Sequence, residues 1–189
     1  AIVLLTLATL VIAINELVFA FAIFIASLIC YNEWYKINTT YFAKKKKKNI
    51  LIIKICGLIY ISIFFITSLF IYKEFSIASF IFIILICACS DIGGFTFGKL
   101  IGGKKLTKVS PNKTVSGSLG SFLFSIAPLF LVNFQNFVDF NFNISIKNIL
   151  FCFIVSIFCQ IGDLIISYFK RLNKVKDTGS ILPGHGGLL

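Results

Sequence analysis

The 189-residue chain has no methionine, one histidine, one tryptophan, three prolines and seven acidic residues. Charged residues make up 13% and hydrophobic ones 58%, with a mean hydropathy of +0.99. A soluble domain carries about twice that share of charge, so a soluble globular fold is excluded and the class is integral membrane. No C-x-x-C pair occurs. The six cysteines (Cys30, Cys56, Cys87, Cys89, Cys152, Cys159) all fall in apolar runs, where they read as small buried hydrophobes, with no disulfide and no metal expected of them. The net charge of +11 is confined to breaks between apolar runs. A nucleic-acid partner is thereby excluded, since such a binder sets its cations on a soluble fold. The absence of methionine even at position 1, and an end at Leu188-Leu189 directly after the densest motif, lead us to expect a fragment cut at both ends and inactive in isolation.

What remains is a series of membrane-length runs. Residues 1–31 are apolar apart from Asn15-Glu16 and a few hydroxyls. That exceeds one crossing of a hydrocarbon core of about 30 Å and predicts two helices hinged near that pair. A polar break over 32–49 holds the run Lys44 to Lys48. Apolar blocks follow at 50–72 and 75–90, with a turn at Lys73-Glu74. A glycine- and lysine-rich loop over about 91–117 comes next, then apolar sequence over 118–134 with a kink at Pro128. A polar stretch over 135–148 carries Asp139, and a last apolar block spans 149–169. The three basic regions are the lysine run, the cluster Lys99/Lys104/Lys105/Lys108/Lys113, and the tail Lys170/Arg171/Lys174/Lys176. Two apolar blocks separate each from the next, so all three fall on one side, the cytoplasmic one by the positive-inside rule. The expected fold is all-α and polytopic, with about six transmembrane helices and cytoplasmic catalytic loops. The expected organisation is an N-terminal hydrophobic hairpin and basic loop over 1–49, then a catalytic membrane region over 50–189. The lysine run reads as a topology anchor attracted to anionic lipid, and Glu33-Trp34-Tyr35 as an interfacial anchor.

Chemistry can reside in few places. Asp91 and Asp163 end apolar blocks on the inferred cytoplasmic side. A carboxylate there is paired with an interfacial lysine or functional, because isolated charge at that depth is costly. Gly162 leaves room beside Asp163 for a ligand or another helix. The segment from Asp91 to Thr114 offers glycines, Ser110, Lys113 and Thr114 as phosphate donors, without the G-x-x-x-x-G-K-[ST] spacing of a Walker A loop. A flexible loop with topology lysines is the plain alternative. The tail is more specific: Lys170-Arg171-x-x-Lys174-x-Lys176-Asp177-x-Gly179-x-x-Leu182-Pro183-Gly184-His185-Gly186-Gly187. Three glycines around the only histidine indicate a tight backbone path. Imidazole, titrating near pH ~6.5, suits a phosphate contact. We favour that role over general-base catalysis, because a phosphate monoester is already largely ionised near neutrality.

These motifs resemble those of the phosphatidate cytidylyltransferase family, the CDP-diacylglycerol synthases. The likeness runs in order through Asp91 with Gly94, Lys108-Val-Ser110-Pro111-x-Lys113-Thr114-x-x-Gly117, Gln160-x-Gly162-Asp163-Leu164, and the tail from Ser167 to Gly187. It is specific from about residue 87 onward. The chain departs from the family pattern at Val115-Ser116, where Trp-Glu is usual, and at Ile166, where an acid is usual. It also ends where the family continues with Asp-Arg.

The resemblance implies a reaction of CTP with phosphatidate that yields CDP-diacylglycerol and pyrophosphate in phospholipid biosynthesis. It implies Mg²⁺, or Mn²⁺ in its place, held by Asp163 and Asp91. Ser110, Lys113, Thr114, Lys176, Gly186 and Gly187 would bind the nucleotide phosphates beside Asp91. Asp163, Lys170, Arg171, Asp177 and His185 would form the catalytic set, with Asp177 either orienting the cationic tail or touching the nucleotide. Membrane lipids are the further partner, a homodimer is usual in the family, and the location is the cell membrane. A CTP-dependent lipid kinase, or a cytidylyltransferase for another lipid phosphate, obeys the same charge logic and stays open at this point. A CDP-alcohol phosphotransferase would need several aspartates on one helix. A transporter would need broken, polar sequence in mid-membrane.

Overall fold

The computed structural model describes residues 15–42, 47–75, 77–107, 110, 113–133, 144–173 and 175. Six helices occur among them: α1 (Glu16–Phe42), α2 (Lys47–Phe75), α3 (Ile77–Leu100), α4 (Val115–Ser125), α5 (Ala127–Asn133) and α6 (Ile146–Leu172). The described residues include no strand, only an isolated antiparallel bridge between Lys105 and Thr114. Helices α1, α2, α3 and α6 each contain a stretch long and apolar enough to cross a membrane, and Val115–Phe130 is a shorter apolar helical stretch. The molecule is thus an all-α polytopic membrane protein. In hydrocarbon only a helix or a closed barrel satisfies every backbone N–H and C=O, so apolar runs of this length become helices despite their many β-branched and aromatic residues. Hydroxyls inside them turn back on the carbonyl four residues earlier: Ser27 on Ile23 (2.7 Å), Thr67 on Ile63 (2.8 Å) and Ser68 on Phe64 (2.7 Å).

The chain divides into two compact units, residues 1–77 with 168–189, and residues 78–167. The first contains the antiparallel α1–α2 hairpin. At one end the Phe19 and Tyr72 rings stack with centroids 4.4 Å apart. At the other the Trp34 indole N–H donates to the Ile53 carbonyl at 3.0 Å and its ring lies over Gly57, where any Cβ would collide with it. Trp34 is therefore buried, at 8% exposure, and is not the interfacial anchor expected of it. Tyr35 is exposed, with the Lys54 ammonium 4.5 Å from its ring centre. Along α2, Leu51, Ile55, Leu58, Ile59, Ile63 and Ile66 are exposed, a face suited to lipid.

In the second unit Phe82, Ile86, Leu129 and Cys152 form the core, with Ile126, Ile149 and Val155 against it. Lipid is as apolar as these side chains, so their contribution is close packing rather than removal from water. The break between α4 and α5 falls at Ile126, just before Pro128, which supplies no N–H to continue the ladder. The Leu129 N–H instead reaches the Ile126 carbonyl at 3.0 Å.

Three boundaries differ from expectation. Helix α1 continues through the polar break to Phe42, and α3 continues past Asp91 to Leu100, so the expected loop over 91–117 begins only at Ile101. Glycines 93 and 94 are helical because they pack, as described below. The break between α2 and α3 falls just beyond the predicted turn at Lys73-Glu74, since both residues remain in α2. The expected first crossing lies outside the described residues.

Candidate active site

Helices α3 and α4 approach almost backbone to backbone. A Cβ on Gly120 would lie 2.5 Å from the Phe97 Cβ and 2.6 Å from the Gly93 carbonyl oxygen. One on Gly117 would lie 2.7 Å from the Gly94 carbonyl oxygen, and one on Gly94 2.6 Å from the Ser121 hydroxyl. These glycines are a helix-packing seam of small residues, so the anion-cradling role read for Gly93 and Gly94 is corrected. After α3 the chain reverses through Gly102 (φ 63°) and Gly103 (φ 102°), left-handed conformations natural to glycine. It returns alongside itself, with Leu106 N–H on the Lys113 carbonyl (2.8 Å) and Val115 N–H on the Lys104 carbonyl (3.0 Å). Thr114 caps α4, its hydroxyl accepting the Gly117 N–H at 3.1 Å.

This close approach frames a cavity of about 300 Å³ whose walls include Asp91, Gly94, Phe95, Ser110, Lys113, Thr114, Ser118, Gln160 and Asp163. Across it the Lys113 ammonium donates to Asp163 Oδ2 at 2.7 Å, with side chains 28% and 55% exposed. The alternative weighed for Asp163, a carboxylate paired with an interfacial lysine, is thus realised by Lys113. An ion pair this accessible contributes roughly 0–1 kcal/mol, so both groups can exchange partners cheaply. Behind it runs a chain of polar contacts. Ser118 donates to Gln160 Oε1 (2.6 Å), Gln160 Nε2 donates to Ser156 (3.3 Å), and Ser156 shares a hydrogen bond with Ser90 (2.7 Å). Ser90 and Ser156 are fully buried. This network carries no role in the sequence reading. Its signal was the Ser156-x-x-x-Gln160 spacing, which sets two polar side chains on one face of an apolar helix.

Of the twelve candidate residues, Asp91, Ser110, Lys113, Thr114 and Asp163 line this one cavity. Lys170 and Arg171 lie in the last turn of α6, in the other unit. Lys176, Asp177, His185, Gly186 and Gly187 lie outside the described residues. No group of three or more His, Cys, Asp or Glu residues able to hold a metal occurs among the described residues. Two carboxylates on one cavity nevertheless fit Mg²⁺, which commonly takes one or two carboxylates and completes its octahedron with water and substrate phosphate.

A model of the cytidylyltransferase family matches residues 43–189. The phosphatidate cytidylyltransferase of Staphylococcus haemolyticus (strain JCSC1435) is 48% identical over 106 residues, which cover 56% of this chain and 40% of that protein. That of Staphylococcus aureus (strain COL) is 49% identical over 107 residues, again 56% of this chain and 40% of the relative. The chain spans about two fifths of the length of these curated relatives. With the family model covering well over half of its residues, the chain belongs to the cytidylyltransferase family.

Proposed function

We propose that this chain carries the membrane catalytic region of a phosphatidate cytidylyltransferase, which joins CTP and phosphatidate into CDP-diacylglycerol and pyrophosphate. The observation that carries the reading is the Lys113–Asp163 pair sharing with Asp91 the lining of one cavity of about 300 Å³. An oxygen of the lipid phosphate forms a bond to the α-phosphorus of CTP. The bond from that phosphorus to the α,β-bridging oxygen breaks, and pyrophosphate leaves with the electron pair. Both reactants are polyanions, so the chain must chiefly neutralise charge and hold an in-line approach. Lys113, released from Asp163, turns to the triphosphate together with Ser110 and Thr114. Lys170, Arg171, Lys176, His185 and the backbone of Gly186-Gly187 supply the remaining donors. Mg²⁺, or Mn²⁺ in its place, would be held by Asp163 and Asp91 and would neutralise phosphate charge when bound. In this reading the protein lies in the cell membrane as a homodimer, with its basic regions cytoplasmic.

The test uses the full-length protein in membranes, with labelled CTP and added phosphatidate. The expected result is labelled CDP-diacylglycerol, reduced more than about 100-fold by Asp163→Asn, the range for losing a key electrostatic group. No labelled lipid from folded protein overturns the proposal. Transfer of label from γ-labelled CTP to a lipid phosphate would identify a kinase instead.

A further inference from the structure

The second half of α1 is unexpectedly polar on its buried side. Trp34 and Asn38 are 8% and 4% exposed. They meet the last turn of α6, all within the first unit. The Phe169 ring packs edge-on to Trp34 with centroids 4.6 Å apart. Asn38 Nδ2 donates to the Trp34 carbonyl at 2.9 Å. Asn173 Nδ2 donates to the Phe169 carbonyl at 2.7 Å and reaches Asn38 Oδ1 at 3.4 Å. Trp34 in turn donates to Ile53 of α2, so one helix end is tied to both members of the hairpin. Asn173 is itself 8% exposed, and its Oδ1 is buried with no donor among the described residues. The Val175 N–H closes on the Lys170 carbonyl at 3.1 Å, the six-to-one bond that ends a helix by turning the chain sharply.

Two asparagines are an inefficient way to hold helices together inside a membrane protein. Leucine would pack in the same space with no polar group to satisfy. What a directional amide pair adds is a single register and azimuth for the helix end. Between Phe169 and Asn173 sit Lys170, half-buried, and Arg171, exposed, and the direction of those cations follows from how this turn is held.

We infer that Asn38 and Asn173 are positioning residues that fix the end of α6 against the α1–α2 hairpin and thereby set the direction of Lys170 and Arg171 at that helix end. The inference rests on the phosphate-binding reading of those two cations.

The experiment compares wild type with Asn38→Leu, Asn173→Leu and the double variant in the full-length enzyme, reading KM for CTP, kcat and the thermal midpoint in detergent. The expected result is a midpoint equal to or above wild type, a KM for CTP raised about 5–10-fold and kcat within twofold. The double variant should be no worse than the worse single, because both act through one contact. An unchanged KM in folded variants overturns the inference, as does a fall in midpoint with no change in KM. If the leucine variants do not accumulate, the serine variants are read by the same criteria. A wild-type enzyme without CTP-dependent lipid product would defeat the underlying functional reading instead, so the two failures are separable.

Discussion

In the α1–α2 hairpin one glycine, Gly57, receives a whole indole, whereas between α3 and α4 four glycines bring backbone against backbone. The first contact is a side chain in a notch, and a side chain can turn. The second sets Gly93, Gly117 and Gly120 against carbonyl oxygens of the facing helix, and those cannot move without moving a helix. The rigid seam lies beneath the Lys113–Asp163 cavity, since Gly94 and Gly117 both line it. The adaptable notch lies in the unit that holds the end of α6. Under the proposed function the rigid packing falls beside the groups that would hold the reactants, as a reaction steeply dependent on alignment requires.

The seam should be the harder of the two to perturb without damage. Gly120→Ala places a methyl group 2.6 Å from the Gly93 carbonyl oxygen and 2.5 Å from the Phe97 Cβ. No rotamer change relieves either contact, so α3 and α4 must part. Overpacking of this kind costs about 1–3 kcal/mol, and the upper end is expected here because backbone is involved. Thermal unfolding in detergent should show the loss, with CTP turnover falling alongside it as the cavity walls separate. Full stability in this variant would mean the helices do not meet as closely as described.

The notch should respond about half as strongly. Gly57→Ala collides with the Trp34 ring, which can swing aside at the expense of its hydrogen bond to Ile53. A net hydrogen bond and some packing amount to about 1–1.5 kcal/mol. The sharper check is coupling: in a Trp34→Leu background, Gly57→Ala should cost almost nothing. Additive losses across that cycle would show that the indole is not what fills the notch.

How much of this was legible in the residues depends on what each group touches. The membrane helices could be read because an apolar run near 20 residues has few other stable forms in lipid. Asp91, Ser110, Lys113, Thr114 and Asp163 could be grouped through motif order, and they do share a cavity. The role of Gly93 and Gly94 was misread, because a glycine that cradles an anion and one that admits a helix look identical until the partner is placed. Trp34 was misread for a related reason. An aromatic after an apolar run suits an interface, and only the facing Gly57 shows that the ring has somewhere to go. Asn38 and Asn173, 135 positions apart, carried no local signal at all.

Gly162 completes the comparison, being a glycine that neither kind of contact explains. It lies beside Asp163 in α6, yet a Cβ there meets no atom of the described residues within 4 Å, and it is not among the residues lining the cavity. With no described residue to collide with, Gly162→Ala should exchange a flexible helix position for the best helix former, worth up to about 1 kcal/mol in favour of the folded state. The thermal midpoint should hold or rise slightly, and CTP turnover should be unchanged. Turnover that drops while the midpoint holds would reveal a ligand or a further segment against this face of α6. That outcome would return the glycine to the role its place beside the carboxylate first suggested, room for a group to approach Asp163.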